Sequence, residues 1–168
     1  MALTSAQKAT VAAYILADPV LSLKPHNSDG DFDIAIALNQ LASPNFIVWT
    51  MGALPVAFSH ALWDWTRVDN LSVGKARILD YMIAAASIDL NRATVRAGVN
   101  SAFSVTVADA PCRNAIWLTG SRSGSIVEKL LVTSGAGIAP TDLGVGPGVL
   151  GFVGPIGQQD VHDAREGL

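Results

Sequence analysis

Few residues in this chain have the types and spacing for chemistry, and each has a plainer structural role beside the chemical one. Asp29, Asp31 and Asp33 alternate in Asn27-Ser-Asp-Gly-Asp-Phe-Asp33, an oxygen-rich run of the kind that can hold calcium. An EF-hand loop would need glycine where Ile34 stands and a glutamate at its last position, and neither is present. Acidic residues in a first helical turn complement the helix dipole and one of them can cap, so capping is the expected role. Gly146-Pro-Gly-Val-Leu-Gly151 matches the spacing of a dinucleotide-binding loop. That loop works only when a helix follows to receive the pyrophosphate, and Phe152-Val-Gly-Pro-Ile-Gly157 cannot open one.

Ser72-Val-Gly-Lys75 and Ser5-Ala-Gln-Lys8 both satisfy the S-x-x-K spacing of penicillin-recognising enzymes, without the S-D-N and K-T-G elements that complete such sites. A helix cap followed by a solvated lysine explains both. His26, His60 and His162 are scattered and the chain has one cysteine, so no zinc-ligand spacing arises. Cys112, close to a predicted helix start, is a nucleophile only if the helix lowers its pKa; otherwise it is a small buried hydrophobe. Gly120-Ser-Arg-Ser-Gly124 puts Arg122 where a nucleophile elbow needs serine, and no G-K-[ST] phosphate loop occurs. Trp49, Trp63, Trp65 and Trp117 lack interleaved basic residues, which favours core packing over a stacking platform for nucleic acid. Arg67, Lys75, Arg77, Arg92 and Arg96 make the middle of the chain modestly basic, as a solvated face or as partners for a neighbouring subunit's acids. No catalytic, cofactor-binding or metal-binding residue is expected.

The elements that would position these residues read as helices. Thr4-Ser-Ala-Gln7 has the pattern of a capping box, followed by Val11, Tyr14 and Ile15 at helical spacing and a stop at Asp18-Pro19. A second helix carries Phe32, Ile36 and Leu38 to Leu41 and ends at Ser43-Pro44. Phe46 to Trp49 fits a short strand or a buried turn equally well. Phe58, Leu62 and Trp65 mark a third helix, and Ile78, Leu79, Met82 and Ile83 the buried stripe of a fourth, capped by Ser72. Asn91 opens a fifth, with Val95, Val99 and Phe103. Asp109 and Pro111 start the last, which either breaks at Gly120 to Gly124 or is held through by packing; one long, kinked helix over 109–134 is the expectation.

Composition divides the chain near Gly135. Six of the fifteen glycines lie in residues 1–134 and nine in the last 34 residues. The first part holds ten basic and ten acidic side chains, so the whole net charge of −3 sits in the remainder. All four tryptophans precede Gly135. The predicted class is therefore mainly α: a bundle of five to six helices over 1–134 and an extended Gly/Pro-rich arm over 135–168. Val149 to Val153 has the character of one short strand, which would need an edge to pair with, and Gln158 to Glu166 of a terminal helical turn or two. Half the residues are hydrophobic and 15% charged, which excludes general disorder. The negative net charge argues against a nucleic-acid-coating protein. No run reaches the roughly 18 apolar residues of a membrane span, no secretory leader is expected from Met1-Ala-Leu-Thr4, and a lone cysteine fits a reducing compartment.

Longer motifs carry a family resemblance. They are Ile15-Leu-Ala-Asp-Pro19, Asn27-Ser-Asp-Gly30 with Ile34-Ala-Ile-Ala37, and Ala42-Ser-Pro-Asn-Phe-Ile-Val-Trp49. Asn70-Leu-Ser-Val-Gly-Lys-Ala-Arg77, Arg92-Ala-Thr-Val-Arg-Ala-Gly98, Val127-Glu-Lys-Leu-Leu131 and Phe152-Val-Gly-Pro-Ile-Gly-Gln-Gln-Asp-Val161 follow. In this order, along nearly the whole chain, the sequence resembles a family of small proteins encoded among the head and tail genes of tailed bacteriophages; Gly120 to Gly124 is the departure. The resemblance implies a non-enzymatic virion protein of the neck, assembled in the host cytoplasm and similar to head-to-tail adaptors. Such adaptors are helical bundles that form rings of about twelve copies, each subunit using two different faces. The implied partners are the portal, tail or nozzle proteins and further copies of the chain, with DNA passing through an acidic lumen without specific binding. Val149, Leu150, Phe152, Val153 and Ile156 are the expected docking contacts of the arm, by strand addition to a partner's edge. The competing reading folds the arm onto its own bundle. Tail completion, capsid decoration or a small enzyme using Cys112 are the alternative functions.

Overall fold

Helix α1 (Ser5–Ala17) starts where the sequence places it. Thr4 Oγ1 accepts the Gln7 N–H at 3.3 Å and the Gln7 side chain accepts the Thr4 N–H at 2.9 Å, so two otherwise orphaned donors are satisfied at once. Asp18 ends the helix before Pro19, and its carboxylate accepts the N–H groups of Val20 and Leu21 at the entry to a 3₁₀ turn, Leu21–Leu23. Helix α2 (Ser28–Leu38) is capped by Asn27, whose side chain accepts the Gly30 N–H at 2.9 Å. In this computed structural model residues 2–54, 63–104 and 106–167 are described. Phe58, Leu62 and His60 lie outside them.

The chain forms two compact units, neither continuous in sequence. The first comprises Met1–Phe46, Ser123–Thr133 and Leu150–Leu168. Its helices are α1, α2, α7 (Ile126–Leu130) and α8 (Gln158–Glu166). Val11 and Ile15 of α1, Ile34 and Leu38 of α2, Val127 of α7 and Val161 and Ala164 of α8 share one core. Phe152 and Ile156, from the irregular chain before α8, complete it. The second unit comprises Ile47–Arg122 and Ser134–Val149. It holds strand β1 (Ile47–Trp49) and helices α3 (Trp65–Asp69), α4 (Val73–Ala84), α5 (Ala93–Ala102) and α6 (Ala110–Thr119). Its core is built on Trp49, Leu79, Leu90, Val99, Phe103, Ile116 and Trp117, with Trp49 and Trp117 edge to face at 5.6 Å. Strand β1 pairs with β2 (Ser121–Ser123), and β3 (Val132–Ser134) with β4 (Val149–Leu150). Eight α-helices and two two-stranded sheets among the described residues make the fold mainly α, as the periodicity predicts.

The single helix expected over 109–134 does not form. Helix α6 stops at Gly120, whose carbonyl accepts the Thr50 N–H at 2.8 Å. A Cβ at Gly120 would meet Leu90 Cδ1 at 1.8 Å, so the glycine makes room for a core side chain. The chain then extends as β2 and re-enters a helix at Ser125, where a second capping box with Glu128 forms. Two further starts shift slightly: α5 begins at Ala93 rather than Asn91, and Ser72 precedes α4 without capping it by a side-chain hydrogen bond.

The chain beyond Gly135 does not stand apart as an arm. Residues up to Val149 belong to the second unit and those from Leu150 to the first. Gly135, Gly144 and Gly146 adopt positive φ, which lets the backbone wind closely: a Cβ at Gly144 would lie 2.7 Å from the Trp117 ring. The segment has no core of its own, as its composition indicates, but it completes two others. Truncating Phe152, which is 3% exposed, tests this. Phe152→Ala is expected to cost about 3–5 kcal/mol of stability in denaturant unfolding, against little effect if the segment were a free arm.

Candidate functional site

The sequence gives no warning of the most polar feature of the first unit. Asp31 is not a cap. It sits in the first turn of α2, on the side facing the core, and is 2% exposed. Its Oδ1 accepts from the Arg165 guanidinium of α8 at 2.6 Å, and its Oδ2 lies 3.2 Å from His162 Nδ1. Arg165 is itself buried and donates further to the carbonyls of Pro25 (3.0 Å) and Lys24 (2.9 Å). A buried guanidinium with a carboxylate and two carbonyls in its fork has the partners that burial demands. Gly30 is required beside it, since a Cβ there would stand 2.0 Å from the Pro25 carbonyl oxygen.

The other end of α2 holds the chain before α8. Asn39 donates through Nδ2 to the Ile156 carbonyl at 2.9 Å and accepts the Ile156 N–H at 3.0 Å through Oδ1, as a neighbouring strand would. Gln7 Nε2 donates to the Gly151 carbonyl, and Lys8 pairs with Asp163 at 2.6 Å, half-exposed. The Lys8 and Gln159 hydrogen bonds hold the Asp163 carboxyl below the usual carboxylate range. Asp160 accepts the Gly157 N–H and so starts α8.

In the second unit Arg113, 1% exposed, donates from Nε to the Asp142 carbonyl at 2.9 Å, and Trp117 Nε1 donates to the same oxygen at 3.2 Å. The loop through Gly144 is thereby pinned against α6. Arg96 lies 5.3 Å from the Trp49 ring centroid and donates to the Leu90 and Asn91 carbonyls; burial pushes its pKa down, against the pull of Asp89. Asp109 accepts from Ser104 Oγ at 2.6 Å and Arg67 Nε at 3.0 Å. Burial pushes the Asp109 carboxyl up, but the Ser104 and Arg67 hydrogen bonds outweigh it and hold the group below the usual range.

The expected docking residues divide. Leu150, Phe152 and Ile156 are buried in the first unit, Val149 is half-buried against the core of the second, and Val153 is 39% exposed. The first three are core residues here rather than a free docking edge. Gly148 of the dinucleotide-like run bridges Val48 in parallel, so its backbone groups are engaged in structure. Asp33 pairs with Lys24 at the surface. Cys112 is buried, its thiol donates to the Asp64 carbonyl at 3.7 Å, and burial pushes its pKa up, opposite to what a thiolate nucleophile needs. Trp49 and Trp117 are core residues, whereas Trp65 is 59% exposed. No group of three or more His, Cys, Asp and Glu side chains able to hold a metal occurs among the described residues, and no helix there is long and apolar enough to cross a membrane.

Three outcomes follow from these clusters. Asp31→Asn leaves the Arg165 charge buried without its carboxylate and is expected to cost about 3–5 kcal/mol in urea unfolding. Asp31→Leu combined with Arg165→Met should lose much less than the two single changes together, because no charge is then left uncompensated. For Asp109, the depressed carboxyl stabilises the fold above the unfolded carboxylate value of about 3.9 and loses that contribution as pH falls through the folded value. All four tryptophans lie in the second unit. Their fluorescence should therefore follow an acid transition that is shallower in Asp109→Asn.

Compared with protein-family models, with curated proteins and with solved structures, the chain finds no match.

Proposed function

We propose that this chain is a structural protein of a tailed-phage neck, a head-to-tail adaptor whose copies form a ring between portal and tail. The motif resemblance along nearly the whole sequence motivates the reading, and the mainly α fold is compatible with it. The observation that carries it is the presence of large exposed apolar side chains in both units. Leu23 is 84% exposed in the first unit, and Val73 (72%), Tyr81 (80%) and Val107 (90%) are exposed in the second. Apolar side chains exposed on both units are available for contact with neighbouring subunits. The buried charges, by contrast, are engaged in holding elements together, and Cys112 lacks the environment of a nucleophile.

The mechanism is assembly. Docking by insertion of the C-terminal segment would first have to extract Phe152 and Ile156 from the core of the first unit. The adaptor therefore meets its neighbours through surfaces that are exposed in the folded chain, Val153 among them. The test is genetic: particles made without this protein should be DNA-filled heads lacking tails. Normally tailed, infectious particles would overturn the adaptor reading, and copies spread over the capsid lattice in electron micrographs would replace it with capsid decoration.

A further inference from the structure

Two of the larger clefts already hold their own counter-charges. In the second unit, the groove of about 400 Å³ between α4 and α5 has Arg92 bound to Asp89 at 2.9 Å. In the first, the cleft of about 370 Å³ between α1 and α8 has Lys8 bound to Asp163 at 2.6 Å. A smaller cavity of the first unit, about 150 Å³, is different. Lys129 is its one charged lining residue, and no carboxylate pairs with it among the described residues. Lys129 is half-buried, with its ammonium 6.0 Å from the centre of the Phe46 ring. Its neighbour in sequence, Glu128, is buried and accepts the Ser125 N–H at 3.0 Å in the capping box of α7.

The rest of the cavity complements that charge. Tyr14 of α1 and Ser43 each bring a hydroxyl to its lining. Leu41, Ala42, Ile126 and Leu130 supply apolar walls. Two backbone hydrogen bonds fix the turn after α2 against α7: the Ala42 N–H donates to the Gly124 carbonyl at 3.0 Å and the Ile126 N–H to the Gln40 carbonyl at 2.9 Å. The walls are therefore set before any ligand arrives, which lowers the ordering cost of binding. Leu41 and Ser43 are exposed and mark the opening.

We infer that this cavity binds a monocarboxylate with a compact apolar body, either a free acid or the last residue of a peptide. One unpaired ammonium matches one negative charge, and hydroxyl donors complete the shell of a carboxylate. A phosphate dianion calls for more cationic donors than a single lysine. The apolar walls take the hydrocarbon part, and a cavity of about 150 Å³ admits a body the size of benzene. The site does not depend on ring assembly.

Sodium benzoate, titrated into the full-length chain, should shift the amide resonances of Ala42, Ser43, Lys129 and Leu130 saturably. Benzamide has the same shape without the charge, and should bind about tenfold or more weakly, the worth of a hydrogen bond to a charged group. Lys129→Met keeps an unbranched side chain beside Phe46 and should lose benzoate by the same factor, with distant amides unmoved. Lys129→Arg should retain binding. Equal binding of benzoate and benzamide overturns the inference without recourse to any variant, and so does full binding by Lys129→Met. A short peptide ending in leucine, compared with its C-terminal amide, separates the two sources. Binding of the free-carboxylate peptide alone identifies a chain terminus as the ligand, and binding of benzoate alone identifies a free acid. Saturable shifts from neither probe overturn the site.

Discussion

Asp31 and Arg165 lie 134 residues apart in sequence and 2.6 Å apart in the structure, both withdrawn from water. Neither charge can be buried alone, because an uncompensated ion in the interior costs several kcal/mol. The first unit therefore closes only when α8 docks on α2, and the rest of its architecture serves that docking. Gly30 lets the Pro25 carbonyl approach α2 closely and take up Arg165 as well. Asn39 fixes the backbone at Ile156, so Phe152 and Ile156 enter the core at a set distance ahead of α8. Apolar burial supplies the driving force; the ion pair fixes the register in which it is applied.

This changes what the glycine-rich C-terminal stretch does. Its composition predicts a segment unable to form a core, which holds in a limited sense. Glycine at positive φ lets residues 135–148 pass close to Trp117 and bridge to β1, in the second unit, where side chains would collide. From Leu150 onward the chain supplies apolar side chains to a core whose other members come from α1, α2 and α7. A segment without a core of its own is not an arm if other elements provide the remaining side chains.

The mainly α class, the Thr4 capping box and the final helix are legible in sequence because their signals are local, whereas Phe46 to Trp49 reads equally as strand or buried turn and only its pairing with Ser121–Ser123 makes it a strand. Capping residues sit beside the N–H groups they satisfy, and helical spacing repeats within a few turns. The Asp31–Arg165 pair has no such signal. Asp31 reads as one more acid in a first turn, and only the fact that Arg165 is the sole basic residue after Gly135 sets it apart. Gly120 is a different failure: it reads as a weak point in a long helix, whereas its role is to admit Leu90 from elsewhere in the chain. The expected docking residues are apolar in a stretch without local partners, and for Leu150, Phe152 and Ile156 the partners lie far away in sequence. Phe32, Ile36 and Ile78 have the spacing of core residues, and only their exposure separates them from the core.

The C-terminal helix is part of the first unit's core. Native-state amide hydrogen exchange of the full chain measures this residue by residue. The amides of Val161 and Ala164 in α8 are expected to exchange through the same opening as those of Val11 in α1 and Ile34 in α2, with the same protection. Exchange at Val161 and Ala164 many-fold faster, while Val11 and Ile34 stay protected, would contradict it and restore the C-terminal segment as a separable arm.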